Sequence, residues 1–186
     1  PELRTDRALE IELWREATTV FMTSGVGGCT PFGLALAAIK RGFAVELYTS
    51  AGRSSFADSV RSPLKKEVIR LVQDGFIREL RRLETPMHSG GFALGELMRR
   101  MDTGEIPVVL ISSYRIYGAK APHWVVVTGY DERFVYVHDP YVDTAEGETL
   151  IDSLNMPILH REFARMKRYG RAGLQAALFV SRPADG

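Results

Sequence analysis

An α+β fold is predicted by three features of the sequence. Helical patterning dominates the first half, strand-length runs of valine, isoleucine and aromatics cluster in the second, and the two do not alternate. Alternating helices and strands would build a parallel sheet, whereas helices followed by grouped strands build an antiparallel one. With 186 residues and 45% hydrophobic content the chain can bury one sizeable core, so a single domain over residues 1–186 is expected, with two small lobes allowed. The chain begins at Pro1 rather than Met, which is consistent with a piece of a longer protein.

In chain order, residues 18–22 read as extended and lead into Gly27-Gly28-Cys29-Thr30-Pro31-Phe32-Gly33. An apolar helical run, 34–40, follows and is stopped by Gly42. Residues 43–48 form a strand, and the serine- and charge-rich stretch 51–62 a loop or short helix. Pro63 opens a long amphipathic helix whose apolar face carries Leu64, Val68, Leu71, Val72, Phe76, Leu80 and Leu83. Its other face mixes Lys65, Lys66, Arg70, Arg78, Arg81 and Arg82 with Glu67, Asp74 and Glu79, which is the pattern of a solvated surface rather than a basic groove. Pro86 and Gly90-Gly91 make 85–91 a loop, and 92–101 is a helix ended near Gly104. Strands are expected at 107–113, 123–130, 134–139 and 174–181, with a helix at 161–169 closed by Gly170.

Charge excludes some functions. Lys and Arg number 24 against 23 Asp and Glu, so no global field points to nucleic acid or to an anionic membrane as partner. No window approaches the roughly 18 apolar residues of a membrane span, and residues 1–16 are too charged for a signal peptide, so a cytoplasmic address is expected. Oligomeric state is not encoded.

The single cysteine cannot form an internal disulfide, and it sits between two glycines and a helix start. A thiol in the first helical turn faces unsatisfied N–H groups and the positive end of the helix dipole, which favour thiolate, although a lone cysteine also serves as a small buried hydrophobe. His123 and Asp139 are the second element of chemistry. Residues 123–130 and 134–139 read as two strands of a hairpin in which His123, Val125 and Val127 share one face, and Val135, Val137 and Asp139 share one face of the partner. With a three-residue turn at 131–133, Asp139 falls opposite Val125 and diagonal to His123, while His138 points to the other face. A carboxylate that orients an imidazole is what a nucleophilic thiol requires. His88, His138 and His160 have no metal-ligand spacing with Cys29, so no metal site is expected, and no phosphate-cradling glycine loop is present.

Gly-Gly-Cys-x-Pro-x-Gly-Leu-Ala-Leu-Ala, then His-x-Val-Val-Val-Thr-Gly-Tyr-Asp, then Tyr-Val-x-Asp-Pro resembles the papain-like cysteine peptidases that process bacteriocin leaders at double-glycine sites, and more closely their stand-alone bacterial peptidase-like relatives. The resemblance covers residues 18–140. It implies a papain-like fold, a helical N-terminal part bearing the nucleophile helix packed on an antiparallel sheet, without cofactor. Cys29 matches the nucleophile, His123 the base and Asp139 the orienting acid. The family places a glutamine six residues before the cysteine as oxyanion donor, where this chain has Thr23, so the hole would rest on the Cys29 backbone N–H with either the weaker Thr23 hydroxyl or a donor from elsewhere in the chain. The expected activity is that of a cysteine-dependent amide hydrolase, a peptidase acting on a peptide or protein through a thioester acyl-enzyme. The same triad would serve acyl transfer, as in a transglutaminase or peptide cyclase, and a peptide-binding module without catalysis is the third reading.

Overall fold

The structure is a computed structural model that describes residues 6–21, 27–50, 57, 60–118, 121–145 and 147–182. Among these residues the fold is α+β, with six α-helices and a seven-stranded sheet. The chain divides into two compact units: Pro1–Leu47, Ala51–Met87 and Arg182–Gly186 form one, Tyr48–Ser50 and His88–Ser181 the other.

In the first unit, α1 (Arg7–Ala17) starts at Asp6, whose carboxylate accepts from the Leu9 N–H at 2.8 Å. The second helix, α2 (Pro31–Ile39), has Pro31 at its first position and Thr30 as cap, and six of its nine residues are buried. α2 packs against α1 and against α3 (Pro63–Arg82), which is capped by Ser62. The buried stripe of α3 is Ile69, Gln73, Ile77 and Leu80. The expected apolar face was therefore turned too far, since Leu64 and Leu71 are 68% and 64% exposed. Gln73 interrupts the apolar pattern of the true stripe, which is why a face chosen by hydrophobicity alone misses it.

In the second unit the strands β3 (Ile106–Ser112), β4 (Pro122–Tyr130), β5 (Phe134–His138), β6 (Met156–Leu159) and β7 (Ala176–Ser181) pair antiparallel throughout. The full order, with β1 (Ala44–Thr49) and β2 (Met87–Ser89), is β2-β1-β7-β3-β4-β5-β6. Alternate residues Val109 and Ile111, Val125 and Val127, Val135 and Val137, and Ala177 and Phe179 enter one core with Phe92, Leu97 of α4 (Leu94–Asp102), and Phe163 and Met166 of α6 (His160–Met166).

Predicted strands lie within two residues of those found. The misses are α1, β2, β6, the 3₁₀ helix Leu150–Ser153 and the single turn α5 (Tyr114–Tyr117). Except for α1 these span three or four residues, too few for a period to show. Most of the stretch expected as a loop or short helix at 51–62 lies outside the described residues. Among the described residues no helix is long and apolar enough to cross a membrane.

Candidate active site

The segment before Cys29 is stitched to the end of α1. Thr19 N–H donates to Gly28 C=O at 3.0 Å, Thr30 N–H to Ala17 C=O at 3.2 Å, and Gly27 N–H to Val20 C=O at 3.1 Å. Trp14 Nε1 and Thr18 Oγ1 both donate to the Gly27 carbonyl at 2.9 Å. Only glycine fits at position 27, where a Cβ would lie 2.6 Å from Thr19 Oγ1 and 2.7 Å from Val20 N. Cys29 and Thr18 form an antiparallel bridge whose two hydrogen bonds come from the flanking residues, so the Cys29 N–H and C=O are directed away from the Thr18 strand.

Cys29 therefore does not lie in the first turn of a helix, as the sequence suggested. It is extended and precedes the cap, and the Thr30 hydroxyl already accepts the Gly33 N–H at 2.9 Å, one of the donors that the thiol was expected to face. The thiol is half-buried, and that burial pushes its pKa up. Thr23, expected as an oxyanion donor, lies outside the described residues.

His123 and Asp139 are brought together in the second unit. His123 Nε2 and Asp139 Oδ1 are 2.6 Å apart. The hairpin reaches this geometry by a route different from the one expected. Three residues, 131–133, separate the strands as expected, but Tyr130 pairs with Val135 rather than with Phe134, and a bulge between Val127 and Gly129 returns the register to Val127↔Val137 and Val126↔His138. Carried one residue further, that register sets Asp139 opposite Val125 on the face shared with His123. His138 is turned away, its Nδ1 accepting the Asn155 N–H at 3.0 Å.

The Asp139 side chain is fully buried, and its oxygens are all supplied with donors. Oδ1 also accepts the Tyr141 N–H at 2.8 Å, and Oδ2 accepts the Tyr117 hydroxyl at 3.0 Å. The Asp139 N–H donates to Ser153 C=O at 2.9 Å. Burial pushes the carboxyl up, but the bonds from His123, Tyr141 and Tyr117 outweigh it and hold the group below the usual range. An ionised Asp139 accepts only, so Nε2 carries the proton and Nδ1 presents the lone pair of the neutral ring. Tyr117 and Tyr141 were not found from the sequence. Tyr117 enters through α5, which is too short for any pattern, and Tyr141 acts through its backbone, which carries no side-chain signal.

Among the described residues no group of three or more His, Cys, Asp and Glu could hold a metal ion. Compared with known families, residues 1–181 match the model described as "Peptidase_C39 like family". No curated protein matches, and no solved structure does.

Proposed function

Because the chain belongs to the Peptidase_C39 like family, we propose that it is a cysteine-dependent amide hydrolase, a peptidase with Cys29 as nucleophile, His123 as base and Asp139 as orienting acid. The observation that carries this reading is the His123–Asp139 pair, in which Nε2 is tied at 2.6 Å and Nδ1 is left to serve a thiol. On the motifs around Cys29, His123 and Asp139 we relate it more finely to the papain-like peptidases of double-glycine leader processing, acting on a peptide or protein in the cytoplasm.

In this mechanism Nδ1 takes the Cys29 proton and the thiolate attacks the substrate carbonyl. The C–N bond breaks as the imidazolium gives its proton to the leaving amine, leaving a thioester. Nδ1 then takes a proton from water, the hydroxide attacks the thioester carbonyl carbon, the C–S bond breaks to release the carboxylic acid, and the Cys29 thiolate that leaves takes its proton back from the imidazolium. Asp139 keeps the tautomer and stabilises the imidazolium without itself accepting the proton. The Cys29 N–H and the Thr23 hydroxyl are the proposed donors to the oxyanion.

A mass-spectrometric screen of peptides, with and without added amines, tests this with wild type beside Cys29→Ala. Hydrolysis products that gain one water and a trapped acyl adduct on Cys29 are expected from wild type only. Products that persist in Cys29→Ala would exclude the mechanism, and products that carry the added amine would assign acyl transfer instead.

A further inference from the structure

Asp139 needs more than one partner to be an effective orienting group. A carboxylate rotates readily about its last bond, whose torsion is broad and two-fold. His123 Nε2 and the Tyr141 N–H both engage Oδ1, so those two bonds hold one oxygen without fixing the carboxylate plane. The Tyr117 hydroxyl on Oδ2 supplies the third point. We propose that Tyr117 is a positioning residue, whose phenol locks the Asp139 carboxylate plane and thereby the tautomer and orientation of His123. The proposal rests on the hydrolase reading for its consequence in catalysis, but not for its geometry.

Backbone hydrogen bonds hold the turn that carries this phenol. Tyr117 ends α5, the one-turn connection between β3 and β4, where Ser113 C=O accepts both the Ile116 N–H at 3.0 Å and the Tyr117 N–H at 2.8 Å. Gly118 then adopts φ 69° and donates its N–H to Tyr114 C=O at 2.9 Å, a left-handed stop that glycine makes without strain. Ser113 is itself buried and is tied to the far end of the same connection, its N–H and its hydroxyl reaching Ala121 C=O at 3.1 and 3.2 Å. His123 follows two residues later, paired with Ile111 across the ladder. One short clasp therefore presents both the phenol and the imidazole to the same carboxylate.

Ring packing acts in the same sense. Tyr117 stands edge to face with His123, centroids 6.2 Å apart at 89°, and with Tyr141, 5.2 Å apart at 81°. Burial, with the Asp139 carboxylate beside it, pushes the phenol far above its ordinary value, so it stays a donor at any working pH and has no part in moving protons.

Tyr117→Phe keeps the ring and removes only the donor. Without that bond more charge remains on the carboxylate facing the imidazole, so the His123 imidazolium is favoured and its titration should move to higher pH. The titration is read by NMR in Cys29→Ala protein with and without Tyr117→Phe, where no thiol couples to the ring. In otherwise wild-type enzyme, Tyr117→Phe should lower kcat about tenfold with a smaller change in KM, as for a lost hydrogen bond to a charged group. An unmoved His123 titration overturns the proposal, whether or not turnover changes. A shifted titration in a protein that cleaves no peptide supports the positioning and counts against the hydrolase reading, so the two failures are separable. Should Tyr117→Phe not fold, wild type decides: a hydroxyl bonded to a buried carboxylate gives a slowly exchanging proton coupled to the Tyr117 ring, and a rapidly exchanging hydroxyl would overturn the assignment.

Discussion

A carboxylate withdrawn from water costs several kcal/mol unless its oxygens are satisfied. Asp139 is satisfied by three donors, and its folded pKa lies below the unfolded value of about 3.9 despite burial. Above the unfolded value the stabilisation is fully present. As the pH falls through the lower, folded value the native carboxylate takes up its proton and the contribution is lost. Asp139→Asn should therefore be less stable than wild type at pH 6, by about 1–3 kcal/mol, with the gap narrowing at pH 3. Urea unfolding of both proteins at the two pH values measures it, and a gap independent of pH would show that the carboxylate charge is not what the pocket stabilises. Buried Lys167 works in the opposite sense. Its ammonium donates to Phe92 C=O and, at 2.6 Å, to Gln175 Oε1, yet burial lowers its pKa to about 8, so stability referred to Lys167→Met should rise between about pH 8 and pH 10.

Elements that carry a strong period were legible in the sequence, and those set by a single close contact were not. The crossing of α1 and α2 is of the second kind. A Cβ on Gly33 would lie 2.5 Å from Ala17 O and 2.7 Å from Ala17 Cα, backbone that has no rotamer by which to withdraw. Gly33→Ala should destabilise the protein by about 1–3 kcal/mol in denaturant unfolding, and unchanged stability would mean that the two helices are not held at this contact. The β4–β5 hairpin shows how a site can be read through a local error. Three residues separate the strands as expected, but the ladder opens at Tyr130↔Val135, one residue out of the expected register, and the bulge at Val127/Gly129 cancels that offset before the strand reaches His123. The alternation of Val125, Val127, Val135 and Val137 forces that outcome, since a slip of one residue would turn the two valines of one strand out of the core. For α2, by contrast, Thr30-Pro31 marks the start two residues after Cys29, and the glycines before it drew the expected helix too far back over the thiol.

At the scale of the molecule, the chain assigns the thiol and the imidazole to different units, Cys29 to the first, His123 and Asp139 to the second. The order Cys, His, Asp was visible in the sequence because each residue sits in a short motif. The thiol's environment was not, because burial depends on residues distant in the chain. Alone, that environment raises the Cys29 pKa. Opposing it in the proposed mechanism is the imidazolium, whose positive charge attracts the thiolate and so favours loss of the thiol proton. Such an attraction would reverse the effect of a half-buried position. The most direct measurement is the rate of Cys29 alkylation by iodoacetamide against pH in folded wild type, His123→Ala and His138→Ala. Wild type and His138→Ala should react with a midpoint well below the ordinary thiol value of about 8.5, and His123→Ala should move to or above it. One curve shared by wild type and His123→Ala would contradict the proposed mechanism.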